Sequence, residues 1–317
     1  SLTNHVVASS ACYGTRAIYA DFAAEVGSDG PVAIQGGKTR WDMHGVLAPE
    51  ARVLSAPTGI VTYKPEEMIV TARAGTTVAD LHAHLKNDGQ RTSLPDRGGT
   101  IGGAIAVGEN DLNVLGKGRV RDAVLQIRYI SADGEIVSSG APVVKNVSGF
   151  NLHKLFVGSF GTLGLIAEVT LRTNPIPAES MWLAAADIDP LQIFNSLYKP
   201  SAVLWDGEMI WVHLEGHTPD VENQKTKLSK MGDFKEIEMG PDLPPFRWSL
   251  PPANLYEISQ YKMGYSIASI GVGTVWAEHP QPMRSSDRGK QIIEQRLKQQ
   301  FDPMNRLNPG RTVGNWS

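Results

Sequence analysis

Three glycine-rich runs, Gly98-Gly-Thr-Ile-Gly-Gly103, Lys145-Asn-Val-Ser-Gly149 and Gly158-Ser-Phe-Gly-Thr-Leu-Gly164, crowd the stretch between Arg97 and Pro177. Glycine lets backbone N–H groups approach a bound phosphate or ring, and it adopts dihedrals that a side chain forbids. One such run is what any tight turn needs. Several in one stretch point to a single large cofactor held by main chain. A further candidate, Gln35-Gly-Gly-Lys-Thr39, follows the short apolar strand Val32-Ala-Ile34, and a strand that delivers a glycine turn has the geometry of a phosphate loop.

Two familiar phosphate signatures are absent. Gly36-Gly-Lys-Thr39 matches the end of G-x-x-x-x-G-K-[ST], but the first glycine of that pattern falls on Val32. The dinucleotide pattern G-x-G-x-x-G fails twice, because Gly116-Lys-Gly118 is followed at the last position by Arg121 and Gly271-Val-Gly273 by Trp276.

Composition narrows the partners. With 317 residues, 41% of them hydrophobic and 20% charged, the chain is long enough for two domains, each with its own core. A formal net charge of −3 and no dense Lys/Arg block argue against nucleic acid or an anionic membrane surface. Cys12 is the sole cysteine, which excludes disulfides within the chain, cysteine zinc cages and iron–sulfur clusters. No uninterrupted apolar run reaches membrane-spanning length, and the opening Ser1-Leu-Thr-Asn-His5 has no charged segment followed by an apolar core. The expectation is a cytoplasmic protein without direct membrane insertion, attachment through a partner remaining open.

The periodicities read as an α+β chain. Met68–Ala74 is a strand broken by Gly75; a helix capped by Thr76 or Thr77 follows, with an apolar stripe at Val78, Leu81 and Leu85 and a stop at Gly89. Val124–Ile130 and Glu135–Val137 form a hairpin around Ser131-Ala-Asp-Gly134, and Leu163–Leu171 is the strongest strand of the first half. After Pro175 and Pro177 the texture changes. Strands at Val203–Trp205 and Met209–Glu215 and a polar helix from about Asp220 to Met231 suggest a small sheet-and-helix module, and a proline-dense connector runs from Pro241 to Pro252. Ile293, Leu297 and Phe301 share one face of a last helix that Asp302-Pro303 ends.

The order of these turns resembles the FAD-binding subdomain of the vanillyl-alcohol oxidase and p-cresol methylhydroxylase (PCMH-type) group of flavoproteins. Within it the nearest resemblance is to the FAD-binding subunits of bacterial glycolate oxidases. It is carried by Val144–Leu155, Gly158–Pro177, Leu214-Glu-Gly-His217, Phe246-Arg-Trp-Ser-Leu-Pro251 and the tail Arg296–Arg311. The resemblance implies a two-subdomain PCMH-type FAD-binding domain over residues 1–177, a small α+β cap-like substrate or interaction domain over 178–288, and a C-terminal helix and tail over 289–317 that return to the first.

It also implies roles. Gln35, Gly36, Gly37, Lys38 and Thr39 would meet the pyrophosphate, with Pro95, Gly99, Thr100, Ile101, Gly102 and Gly103 approaching from the other side. Lys145, Asn146 and Gly149 would lie along the ribityl or ring region, Gly161 and Ile166 against the adenosine half or flavin, and Asn308 and Arg311 near the ring. Gln35 stands where relatives usually carry arginine, and Lys38 where glycine is common. The loop lacks the histidine to which many relatives attach FAD, so dissociable FAD is expected, with His44 the nearest alternative. The acidic segment Ala104–Asn113 either tunes the site or forms a solvated loop.

Oxidising an alcohol carbon needs the C–H bond held against the flavin, a group to take the hydroxyl proton and a cation to grip a carboxylate. Arg247 is the candidate carboxylate anchor, an ordinary bridging arginine being the alternative. His279 and Tyr261 are weaker candidates for proton transfer. The eight histidines suggest no metal site: His82 and His84 point to different sides of a helix, and His213 and His217 straddle a strand end. Two functions follow from the resemblance. One is an FAD-dependent oxidoreductase acting on a small 2-hydroxy acid, glycolate or D-lactate in type, with electrons passed to a partner. The other is a non-catalytic FAD-bearing subunit beside a larger catalytic flavoprotein and an iron–sulfur subunit.

Overall fold

The central strand of the first sheet, Leu165–Arg172, is buried on both faces along nearly its whole length, which is why its sequence reads as an apolar run rather than an alternation. In this computed structural model, which describes residues 17–39, 45–143, 151–282 and 288–311, the described residues fall into two compact units. The first is drawn from Ser1–Asn110, Val120–Pro175 and Ser286–Trp316, and the second from Asp111–Arg119 and Ile176–Ser285.

The first unit holds an antiparallel five-stranded sheet in the order Ile60–Lys64, Ile69–Arg73, Leu165–Arg172, Val124–Ile130, Ile136–Gly140. On one face the helices Val78–Lys86 and Ile101–Val107 bury Leu81, Leu85, Ile101 and Ile105 against Val70, Ile127 and Val169. Thr77 caps the first of these helices, accepting from the Asp80 amide at 3.0 Å. The other face receives the helix over 17–26, whose Tyr19, Phe22 and Val26 pack on Ile130, Leu165 and Ala167. Beside it Val32–Gln35 pairs in parallel with Arg52–Ser55.

A buried carboxylate sits in the middle of this arrangement. Glu168 accepts from the Tyr19 hydroxyl and pairs with Arg128 at 3.1 Å, while the Arg128 guanidinium lies 4.8 Å from the centre of the Tyr19 ring. Burial, then the hydrogen bond to Glu168, push the Tyr19 phenol up to about 12.

The C-terminal tail runs beside the first strand. Leu307 bridges Val32 in parallel, the Val32 amide donates to the Arg306 carbonyl at 2.8 Å, and the Asn308 amide donates to the Val32 carbonyl at 2.8 Å. The buried Arg306 guanidinium donates to the carbonyls of Val26, Gly27, Asp29, Gly30 and Ala132. Asp302 receives the amides of Arg306 and Leu307 and the Lys298 ammonium, which also donates to the Thr162 carbonyl at 3.0 Å.

The second unit is an antiparallel seven-stranded sheet in the order Lys235–Ile237, Glu179–Ala186, Met209–Gly216, Ala202–Trp205, Ser266–Ser269, Thr274–Ala277, Phe246–Ser249. Helices Pro190–Ser196 and Thr218–Ser229 and the 3-10 segment Pro252–Gln260 bury Ile193, Val221, Leu228, Leu255 and Ile258 on one face. The opposite face gathers Ala202, Leu204, Ile267 and Trp276, with Trp182, Trp211 and Leu112 packed against them.

Most strands expected from the sequence are present within a residue or two, and the sheet is larger than expected. The strand Phe246–Ser249 lies inside the proline-dense stretch; it occupies a sheet edge, where neighbouring prolines are tolerated. Of the last helix, Arg288–Phe301, Leu297 and Phe301 pack on the first core, but Ile293 is 59% exposed. The acidic segment forms no solvated loop: Glu109 is buried and paired with Arg97 at 2.9 Å, and Asp111 with Lys117 at 2.9 Å.

Two outcomes are expected. Replacing Arg306 by Lys leaves several buried carbonyls unsatisfied and should lower unfolding stability by about 2–4 kcal/mol in denaturant titrations. Because the folded Tyr19 pKa lies above its ordinary value of 10.0, its contribution to stability is complete below pH ~10 and is lost as the pH rises toward ~12. Denaturant midpoints of the protein and its Tyr19→Phe variant across that range should converge with rising pH.

Candidate functional site

The strand Val32–Gln35 ends in the turn Gly36–Thr39, and the turn at Gly98–Thr100 stands opposite. A Cβ built on Gly37 would lie 2.8 Å from the Gly99 Cα, so the two turns touch backbone to backbone, and a side chain there would force them apart. The second turn is held by the first-unit helices. Thr77 bridges Thr100, the Val78 amide donates to the Gly99 carbonyl at 3.1 Å, and the Ile101 amide donates to the Thr76 carbonyl at 2.9 Å. Thr100 caps the helix Ile101–Val107 by accepting from the Gly103 amide at 3.2 Å.

Between these turns opens a cleft with a cavity volume of about 100 Å³. Its lining includes Gln35, Gly36, Gly37, Lys38 and Thr39, then Gly99, Thr100, Gly102 and Gly103, and finally Gly161, Ile166 and Arg311. Thus the structure brings together most of the residues expected from the sequence. Apolar groups that the sequence reading passed over complete the lining, among them Ile34, Ala56, Ala74, Ala104 and Phe160. Gly75 lines it too; its break at the end of the strand Ile69–Arg73 was the available signal.

Other expected residues sit behind the lining. Pro95 and Ile101 are buried, Ile101 within the first core. Asn308 is buried rather than lining, and it joins two walls: its Oδ1 accepts from the Ile34 amide at 3.1 Å and its Nδ2 donates to the Phe160 carbonyl at 2.8 Å. Gly161 follows with φ +69°, and a Cβ there would collide with the Asn308 carboxamide. Lys145, Asn146, Gly149 and His44 fall outside the described residues.

Lys38 has φ +56°. It holds a left-handed backbone of the kind glycine adopts most readily, and adds a cation at the cleft.

Among the described residues the lining contains no carboxylate, and it combines glycine turns, Lys38 and Arg311 with an apolar wall. Backbone amides and cations suit a pyrophosphate, and the apolar wall suits a flat heteroaromatic ring. The residues present therefore fit FAD.

The model of the FAD binding domain family matches residues 21–140. That stretch is 120 of the chain's 317 residues, and it is similar to FAD-binding domains. The glycolate oxidase subunit GlcE of Escherichia coli (strain K12) is 27% identical over 95% of this chain and 97% of its own length. A mitochondrial D-lactate dehydrogenase [cytochrome] of Arabidopsis thaliana is 31% identical over 48% of this chain, which is 27% of that protein. Among solved structures, an alkyldihydroxyacetonephosphate synthase superposes with a TM-score of 0.65 at 14% identity, covering 88% of this chain and 71% of that one; the likeness is one of fold.

The three candidates for catalysis belong to the second unit. Arg247 is half-buried on the edge strand, opposite Trp276 in the register. Its neighbour Trp248 points into the core on the other face, where Tyr261 meets the Trp248 ring edge-on with centroids 6.2 Å apart. Strand alternation therefore puts Arg247 and Tyr261 on opposite faces of the sheet. His279 is exposed, and its carbonyl accepts from the Trp248 indole N–H at 2.7 Å. Among the described residues no cluster of three or more His, Cys, Asp or Glu could hold a metal, and no helix is long and apolar enough to cross a membrane.

Gly161→Ala should strain the turn and displace the Asn308 bridge. Its expected signature is loss of FAD from the FAD-binding domain, read as flavin absorbance per protein, together with about 2 kcal/mol or more of lost stability.

Proposed function

We propose that this chain binds FAD without a covalent bond and, within a larger assembly, serves the oxidation of a small 2-hydroxy acid, glycolate or D-lactate in type, to the 2-oxo acid. The observation that carries this reading is the alignment with GlcE over nearly the whole of both chains. Bound FAD supplies the two-electron acceptor for the substrate C–H bond.

The chain's own residues hold and orient. The turns Gly36–Thr39 and Gly99–Gly103 receive the pyrophosphate through backbone amides, with Lys38 and Arg311 supplying positive charge. Gly161 and Ile166 pack against the rest of the cofactor, and Asn308 ties the strand Val32–Gln35 to the bend before Gly161. Lys145, Asn146 and Gly149 keep the ribityl role that the resemblance gives them. Among the described residues the cleft lining holds no His, Cys, Tyr or Asp, which supports a dissociable cofactor; His44, the alternative point of attachment, lies outside the described residues.

Arg247 is the carboxylate anchor of this proposal, because a planar guanidinium binds a carboxylate through two parallel hydrogen bonds. Tyr261 and His279, in the settings described, serve the packing of Trp248. Residues 178–288 act as the cap-like domain that presents Arg247, and residues 289–317 return to the FAD-binding domain. The name of GlcE as a subunit supports a partner; a larger catalytic flavoprotein and an iron–sulfur protein fit the chemistry of moving electrons onward. A reducing, cytoplasmic setting belongs to the same proposal and agrees with Cys12 as the sole cysteine.

Acid precipitation of the purified protein should leave yellow flavin in the supernatant. Under anaerobic conditions glycolate or D-lactate should bleach the flavin of the protein purified with its natural partners, and Arg247→Ala should raise the KM for the acid by about tenfold or more with flavin content unchanged. Bleaching by no 2-hydroxy acid, in a preparation that carries flavin, would overturn the enzymatic reading.

A further inference from the structure

Seven of the twenty residues that line the cleft fall between Gly99 and Val107. The same stretch is bracketed by two opposite charges, Arg97 and Glu109, whose Nη1 and Oε1 lie 2.9 Å apart. Both partners, and all of the lining, belong to the first unit. Glu109 is only 5% exposed, whereas the Arg97 side chain keeps 37% of its surface open. Neither of them is a lining residue.

Both ends of the bracketed stretch are glycine hinges. Gly98 and Gly99 have φ +72° and +84°, and successive glycines have the widest choice of other conformations. The Val78 amide holds the Gly99 carbonyl at 3.1 Å, and Gly98 lies before that anchor, next to Arg97. At the other end Gly108 closes the helix Ile101–Val107 with φ +70°, its amide donating to the Ala104 carbonyl at 2.9 Å. A Cβ built on Gly108 would lie 2.8 Å from the Gly158 nitrogen. The Gly158 and Phe160 amides donate to the Ile105 and Ala106 carbonyls at 3.0 and 2.9 Å. The end of this helix therefore carries the turn that brings Phe160 and Gly161 to the cleft. Negative charge is disfavoured beyond a helix C-terminus, so the helix does not account for a carboxylate buried at position 109. The Arg97 guanidinium offsets that charge.

We propose that the Arg97–Glu109 ion pair is a clasp that closes the segment Gly98–Gly108 into a ring and sets the spacing between the Gly98–Thr100 and Gly158–Gly161 turns, so that Arg97 and Glu109 are positioning residues for the cofactor. A charge-assisted hydrogen bond to a desolvated oxygen is about twice as strong as a neutral one, and it removes the freedom of both hinges at once. Its effect on a ligand passes through the two turns. The cofactor part of this statement rests on the FAD reading above; the clasp itself does not.

A double-mutant cycle on the full chain tests it, read first by amide hydrogen exchange without FAD and then by FAD titration. Arg97→Ala and Glu109→Ala should each speed exchange over residues 98–108 about tenfold, while the strands Val124–Ile130 and Leu165–Arg172 keep the protection of the parent. Each should also weaken FAD binding about tenfold, and the double variant should bind no more weakly than the weaker single, because partners in one interaction are not additive. Glu109→Gln leaves an acceptor for Arg97 without the charge and should fall between Glu109→Ala and the parent. An additive loss of about a hundredfold in the double variant would overturn the clasp. So would parent-like exchange over 98–108 in both single variants, or an equal loss of protection throughout the sheet. If an alanine variant does not fold, Arg97→Gln and Glu109→Gln complete the same cycle and are judged by the same results. If the parent chain takes up no FAD, the FAD reading fails, and the exchange cycle alone decides the clasp.

Discussion

One carboxamide sets the geometry of the cleft. Asn308 presents its oxygen to the Ile34 amide and its nitrogen to the Phe160 carbonyl, so the strand leading to the first glycine turn and the bend leading to Gly161 are fixed to the same planar group. Neither partner can be replaced by its opposite. A carboxylate at this position would face the Phe160 carbonyl with an acceptor, and an apolar side chain would leave a buried amide and a buried carbonyl without partners. The tail can offer Asn308 there because Arg306 ties the chain to five carbonyls and Asp302 closes the helix end through two amides and Lys298. The far C-terminal residues thus complete a site whose other walls were laid down some 150–270 residues earlier.

Much of this was legible before any coordinates. Glycine turns at strand and helix ends announce themselves because few other residues satisfy their backbone, and the run Leu165–Leu171 declares a strand buried on both faces. Lys38 shows the limit of that logic: it holds the left-handed conformation without being a glycine. Asn308 was expected near the ring, and its part as a bridge was hidden because its partners, Ile34 and Phe160, are remote in sequence. The strand Phe246–Ser249 was hidden by the prolines around it, since a sheet edge permits what a central strand forbids. The acidic segment could be read as solvated only because sequence spacing does not reveal that Arg97 neutralises Glu109 and Lys117 neutralises Asp111.

The second unit was the least legible part, for a reason of chemistry rather than composition. Its sheet is built from short strands whose partners lie far apart; Ala202–Trp205, for instance, pairs with both Met209–Gly216 and Ser266–Ser269. Local pattern finds such strands but not their order. Candidate catalytic residues suffer most, because Arg247 and Tyr261 lie only fourteen positions apart in sequence while the sheet places them on opposite faces.

Binding and chemistry are therefore written in two different alphabets along this chain. A cofactor with a pyrophosphate is recognised by backbone, and backbone recognition needs only turns of the right shape, which glycine spacing encodes locally. Oxidation of a hydroxy acid needs a proton acceptor and a carboxylate grip, and the described residues of the cleft lining supply neither a carboxylate nor an imidazole. The same FAD-binding domain can thus sit in front of different chemistries, and the substrate must be chosen by side chains from outside that lining. In the second sheet, strand alternation assigns Trp182, Trp211, His213, Arg247 and Trp276 to one face.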